Sequence, residues 1–386
     1  MNKLRWRRAW FQVHKWIGLI LAILIIPISL TGAALVWHDG LDRMLNANRY
    51  ATSGSATLPL AAYGDAARAA IRPGDRLASL RMPEHPGDPV VVAAAPQAKS
   101  NLPGPALRTN VYLDPPTAKV LAVASSRSGP VMAMHMIHGT LMVPGVGRSI
   151  VGWIGVAMTL SAFTGLWLWW PTVGKWARGL RWRRHRNLDT NLHHQLGFWI
   201  ALPLFVLSLT GAWISFPGFF GPLVGESGRP MGYGADRAAM MRAKPLPAQA
   251  TSLGDAVASA QRVAPGEVTQ VSWPTDYKPA WQVMIKAQGK APGNGHGRPA
   301  TVAVDDATGT ARPAPSPDRG QSGTARLMRQ IHDGTGMGLV WQLIITLGGI
   351  LPAILAVTGI IMWWRARGWK AELAAKQRER RMAAAE

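Results

Sequence analysis

The sequence predicts a membrane α + β protein: four transmembrane helices formed by an internal duplication, with two outward α/β domains between them. Three observations lead there. Four apolar runs reach the ~20 residues that cross a hydrocarbon core of ~30 Å, and Trp stands at one or both ends of each, as interfacial anchoring favours. The stretch from His14-Lys15-Trp16-Ile17-Gly18 to Ser29-Leu30-Thr31-Gly32 reappears from His193 to Gly197 and on to Ser208-Leu209-Thr210-Gly211, at a constant offset of 179 residues. Third, the 42 Lys and Arg outnumber the 20 acids and give a net charge of +22, and 18 of them fall in three short segments beside the apolar runs, together 59 residues long.

Each element follows in order. A basic N-terminal segment, 1–15, leads into the first span, 16–37. That run exceeds the ~7–15 residues of a signal-peptide core, so it is expected to remain as a helix. Residues 38–148 read as the first outward domain with an interfacial segment: a helix at Leu60 to Ala70, then the β-rich runs LASLRM, PVVVAAA and RTNVYLD. The second span is 149–170, a basic loop covers 171–195, and the third span is 196–216. The second outward segment, 217–338, repeats the first with a helix at Leu253 to Val263 and the runs EVTQVSWP, AWQVMIKA and ATVAVDDATG, whose Asp-Ala-Thr-Gly reads as a hairpin turn. Residues 289–299 and 312–323 are loops by composition, and Asp333 to Gly338 lets the chain turn into the last span, 339–364, before a basic tail at 365–386. The second and fourth spans also align without a gap, Ile137-His138 with Ile331-His332, Thr164-Gly165 with Thr358-Gly359 and Trp169-Trp170 with Trp363-Trp364.

Charge gives the expected orientation. Segments 1–15, 171–192 and 365–386 carry 18 Lys and Arg against 4 acids, whereas the long connections carry 24 against 16 over about four times the length. The positive-inside rule therefore places both termini and the 171–195 loop in the cytoplasm and both long segments outside. Basic residues concentrated where topology demands them, without a nucleic-acid motif, argue against nucleic acid as a partner. The absence of Cys removes iron–sulfur clusters, disulfides, thiolate zinc sites and covalent haem attachment through C-x-x-C-H, so any haem is held by side chains alone.

Parallel repeats around an axis along the membrane normal put equivalent residues at equal depth. His14 and His193 are then expected to face each other near the cytoplasmic side, and His138 and His332 near the outer side. Imidazoles from two helices can fill both axial positions of a haem iron, which favours electron transfer over oxygen chemistry. The expected cofactor is haem b, two per chain. Thr-Gly recurs in every span, so Gly32, Gly165, Gly211 and Gly359 are candidates for close approach of a neighbouring helix or a flat macrocycle. His135, three residues before His138, is a candidate substitute ligand, and His194 is expected to meet headgroups or a propionate. His38 has no symmetric partner, and His85, His185 and His296 read as solvated loop residues.

These segments, VHKWIGLILAI with SLTGAALVW, IHGTLMVPGVGRSIVGWIGVAMTLSAFTGLWLWWP, and IHDGTGMG with AVTGIIMWWRARG, resemble the PepSY-associated transmembrane helix family over nearly the whole chain. Within it the chain resembles bacterial inner-membrane reductases that act on ferric siderophores. The resemblance implies two periplasmic PepSY-like domains, b-type haem inside the bundle and reductive release of iron. No nicotinamide or flavin motif is present, so electrons are expected from quinol or a partner protein. Two other readings are a transporter for iron-siderophore or a small solute, with Pro27, Pro203 and Pro352 as possible kinks, and a non-enzymatic sensor or protease-regulating module. The first lacks intramembrane acids, and the second predicts no haem.

Overall fold

The computed structural model describes residues 3–96, 107–170, 176–182, 185–225, 243–287, 300–315 and 323–383. In chain order its main elements are α1 (Lys3–Leu35), α2 (His38–Leu45), α3 (Leu60–Ala70), β1 (Arg76–Arg81), β2 (Val90–Ala95), β3 (Thr109–Leu113), β4 (Val120–Ser125), α4 (Pro130–Thr140), α5 (Gly147–Trp169), α6 (Leu188–Ser215), α7 (Pro217–Leu223), α8 (Leu253–Val263), β5 (Gly266–Ser272), β6 (Ala280–Ala287), β7 (Ala300–Asp305), β8 (Ala311–Ala314), α9 (Gly323–Asp333) and α10 (Gly338–Ala383). They divide into a helical unit, Met1–Trp37, Met134–Gly225 and Gly323–Glu386, and a sheet unit, His38–Ala133 and Glu226–Ser322.

In the helical unit, α1, α5, α6 and α10 are long and apolar enough to cross a membrane. Helix α1 packs on α5, α5 on α6, α6 on α10 and α10 on α1, closing a ring in which α1 and α6 stand on one diagonal. Small residues bring the backbones together. A Cβ on Gly349 would lie 2.5 Å from the Ser29 carbonyl of α1, and one on Gly155 would lie 3.1 Å from the Ser208 carbonyl of α6. Polar side chains tie the helix ends. Arg7 donates to the Leu168 and Trp170 carbonyls, and Arg365 donates to Asp189 at 2.7 Å and Thr190 at 2.9 Å. The start of α1, the end of α5, the start of α6 and the Arg365 turn of α10 therefore share one end of the ring.

Three helices outrun the spans expected from hydropathy. Helix α1 begins at Lys3 rather than 16, α6 at Leu188 rather than 196, and α10 runs to Ala383 rather than 364. Apolar length marks where a helix can meet lipid; the Arg, Lys, Gln, Glu and Ala flanking α1 and α10 are helix formers that prolong those helices, whereas the α6 extension carries Asn191 and Gln195, buried and hydrogen-bonded to the His185 and Gly179 carbonyls. Pro27, Pro203 and Pro352 all lie inside continuous helices.

In the sheet unit, two separate domains were expected, yet both long segments supply four strands each to one antiparallel sheet ordered β4-β3-β2-β1-β5-β6-β7-β8. The junction is β1 against β5, with Ser79 opposite Ser272 and Leu80 opposite Val271. Each half alone would expose an unpaired strand edge, and pairing the two edges satisfies those backbone groups. Helices α3 and α8, whose bounds match the sequence reading, lay Tyr63, Ala67, Ala256 and Ala260 onto Leu80, Val92, Val111, Val271, Trp281 and Val283. The Asp-Ala-Thr-Gly turn forms as expected, with Gly309 at φ +69° and its N–H on the Asp305 carbonyl at 2.9 Å. Strands β4 and β8 were not expected. β4 is an edge strand without the alternation that marks a half-buried one, and β8 carries Pro313, which argues against a strand except at an edge. The loop expected at 289–299, with His296, and residues 316–322 of the second expected loop lie outside the described residues.

Candidate functional site

Four of the sequence-selected histidines come together as two pairs. His14 on α1 and His193 on α6 have ring centres 6.4 Å apart at the end of the ring that carries the chain termini. His138 on α4 and His332 on α9 have ring centres 6.0 Å apart at the other end. Eighteen residues, or ~27 Å of helix rise, separate His14 from Gly32, beside which His138 sits, so the pairs lie near opposite ends of the spans.

Every ring of the four rests on a Thr-Gly dipeptide of a neighbouring helix. A Cβ on Gly32 would lie 2.6 Å from His138 Cε1, on Gly165 3.0 Å from His14 Cε1, on Gly211 3.0 Å from His332 Cε1, and on Gly359 3.5 Å from His193 Cε1. The room these glycines leave is taken by imidazole edges. Of the two expected occupants, a neighbouring helix or a flat macrocycle, the first is found, through its histidine, and a macrocycle against these glycines would have to displace the rings.

The same dipeptide supplies the hydrogen bond. In an α-helix a side chain covers the turn on its N-terminal side, so glycine uncovers the carbonyl four residues earlier. That carbonyl is the one the ring reaches. His138 Nδ1 meets the Ile28 carbonyl at 2.8 Å, His14 Nδ1 the Ser161 carbonyl at 3.1 Å, and His332 Nδ1 the Leu207 carbonyl at 3.0 Å. His193 has the Leu355 carbonyl in the same place. The threonine before the glycine adds a second acceptor in three cases: Thr164 Oγ1 at 3.2 Å from His14 Nδ1, Thr210 at 3.1 Å from His332, and Thr358 at 3.0 Å from His193. These hydroxyls already donate to carbonyls of their own helices, so each can only accept here. Carbonyls accept as well. The proton is therefore on Nδ1, and the Nε2 lone pair is left to act as a ligand.

Burial lowers the pKa of His138 and brings His332 down to about 4, with the neighbouring His138 ring adding to the second shift. Both stay neutral near pH 7, the form that binds a metal.

The donor set fits haem. A metal–imidazole bond of ~2.0 Å, with ~1.1 Å from ring nitrogen to ring centre, would put two imidazole centres on opposite sides of one iron ~6.2 Å apart, close to both observed separations. Among the described residues no group of three His, Cys, Asp or Glu side chains is placed to hold a bare ion. Each pair supplies two neutral nitrogen donors, the number that haem takes from side chains when both its faces are ligated. Around His14 and His193 lies a cavity of about 550 Å³, within the range of ~300–1,000 Å³ typical of small-molecule sites. Its walls include Gly18, Gly197, Gly165 and Phe198, with Arg7 and Arg8 also lining it. Gly18 and Gly197 each stand four residues after a histidine of the pair, and nothing lies within 4 Å of where a Gly18 Cβ would be. The repeated His-x-x-x-Gly held this signal, but the sequence reading treated those glycines only as punctuation of the repeat.

The remaining histidines separate. His135 is exposed on α4 and is not brought into the pair. His194 lines the cavity, but its ring packs against that of His185, with centres 4.5 Å apart and planes tilted by 31°. His185 is thus not the solvated loop residue expected. Its backbone is clamped by Asn191, which accepts from the His185 N–H at 2.8 Å and donates to its carbonyl at 2.6 Å. His38 lies 3.2 Å from the Asp39 carboxylate, and His85 is exposed.

No curated protein matches the chain. A family model described as the PepSY-associated TM region matches residues 11–366, a span that takes in all four paired histidines, all four Thr-Gly dipeptides and both sheet-forming segments. The chain belongs to that PepSY-associated transmembrane family.

Proposed function

We propose that the protein is a b-type haem reductase of the bacterial inner membrane, binding two haems per chain and passing electrons from quinol or another donor to a ferric siderophore outside. The observation that carries this reading is the pair of His–His separations, 6.4 and 6.0 Å, at opposite ends of one helical ring. When bound there, haem supplies reversible one-electron chemistry at two depths in the membrane. The chain's own part is to hold four imidazoles by their Nδ1 hydrogen bonds, to line the space around His14 and His193 largely with apolar side chains, and to offer Arg7 and Arg8 to anionic groups at that cavity.

The fourfold ring-on-Thr-Gly contact and the mirrored strand order on either side of β1 and β5 support an internal duplication, with each half of the sheet a PepSY-like motif. The basic segments that share one end of the ring support a cytoplasmic location for both termini and a periplasmic one for the sheet unit. The siderophore comes from the family resemblance and from chemistry: hard oxygen donors hold Fe(III), and one electron converts it to Fe(II), which they hold less well. Continuous helices through all three prolines give no broken span of the kind that builds a transport site.

Replacing His138 or His332 by Ala should abolish ferric-siderophore reduction by the purified, pre-reduced protein and leave one haem per chain, bound by His14 and His193. Normal reduction by both variants would show that the outer pair is not on the route.

A further inference from the structure

We propose that the threonine hydroxyls of the Thr-Gly dipeptides are positioning residues that set the electronic character of the histidine ligands, and so the potentials of the two sites. This rests on the haem reading above. Three observations carry it. First, Thr164, Thr210 and Thr358 are 1%, 3% and 6% exposed, each with its Oγ1 3.0–3.2 Å from an imidazole Nδ1. Second, each hydroxyl is locked in orientation by donating to carbonyls three and four residues back in its own helix, at 2.8–3.1 Å, so its lone pair faces the ring. Third, the fourth dipeptide lacks the contact. Thr31 donates to Pro27 and Ile28 in the same way, yet His138 bonds the Ile28 carbonyl alone.

An acceptor on Nδ1–H draws the proton outward and makes Nε2 a stronger donor, which favours the ferric over the ferrous state of a coordinated iron. The hydroxyl thus pulls a potential down and fixes the ring plane, while the glycine beside it admits the ring. A purely packing role for threonine would be met equally well by valine, which has nearly the same shape and no acceptor. The four dipeptides are therefore unequal: three tune their histidine through hydroxyl and carbonyl together, and one through a carbonyl alone.

The test is a spectroelectrochemical titration of the full-length protein in detergent, with low-spin electron paramagnetic resonance of each oxidised sample. Thr358→Val should raise one of the two midpoint potentials and shift its resonance while leaving the other site unchanged, and Thr358→Ser should restore both. Thr31→Val should give the smallest shift of the four threonine variants. Should Thr358→Val not accumulate, Thr210→Val carries the same test at the other pair. Two haems in the native protein with potentials indifferent to Thr358→Val and Thr210→Val would overturn this assignment alone, as would a Thr31→Val shift as large as theirs. A native protein without haem would instead overturn the reading beneath it.

Discussion

Gly32 is the tightest of the four seats, and its neighbour sets what a substitution costs. A methyl group there would meet His138 Cε1 at 2.6 Å, closer than real Cβ contacts come, and the ring is tied to the same face of α1 by its hydrogen bond to the Ile28 carbonyl, one turn before Gly32. Gly359 leaves 3.5 Å to His193, an ordinary contact. Gly32→Ala should therefore lower haem content from two per chain toward one, with the His138 and His332 site lost, whereas Gly359→Ala should retain both. Haem quantified per chain in the two variants checks the order, and equal losses would contradict it. At this scale the paired histidines were legible because their sequence surroundings recur, and Thr-Gly was legible as a pattern. Its partner was not. That an imidazole occupies the space depends on which helix stands beside which, and periodicity along one helix does not contain that.

Among the elements, the sheet unit shows how polar groups fix a turn. Asp114, at the end of β3 and 4% exposed, accepts from the Ser53 N–H and from the Ser53 Oγ, each at 2.7 Å, and from Thr117. Burial alone would raise its pKa, but these hydrogen bonds outweigh it and hold the carboxyl below the usual value. Asp305, in the β7–β8 turn, is also lowered, by hydrogen bonds from Thr308. A carboxyl depressed in the folded state contributes stability that is complete above its unfolded pKa of ~3.9 and is lost as pH falls through the folded value. Near-ultraviolet circular dichroism should therefore report sheet-unit packing that is constant from neutral pH down to ~4 and weakens below it. Asp114→Asn should be less stable already at pH 7 and show less of the acid dependence. An unchanged acid profile in that variant would remove Asp114 from the account. Helices α3 and α8 were readable to the residue because Ala and apolar spacing act locally. Strands β4 and β8 and the β1–β5 junction were not, because edge strands lack alternation and strand partners are a tertiary choice.

For the whole molecule, function depends on two features that no single helix contains. The ring places α1 and α6 on a diagonal, so histidines separated by 179 positions face each other across it, and each is propped from the adjoining helix. The spans then carry that arrangement from one end to the other, so a second pair appears where α4 and α9 meet the opposite rims of α1 and α6. The repeat and the spans were enough to place the two pairs toward opposite ends of the helices. It did not reveal that the two long segments merge into one sheet, since each half reads as complete by itself. Central to the account is that both pairs hold haem. The measurement that tests it most directly is the oxidised and dithionite-reduced absorption spectrum of the detergent-purified protein with haem quantified per chain: two low-spin b-type haems are predicted, and no haem, even after haem supplementation during expression, would contradict it.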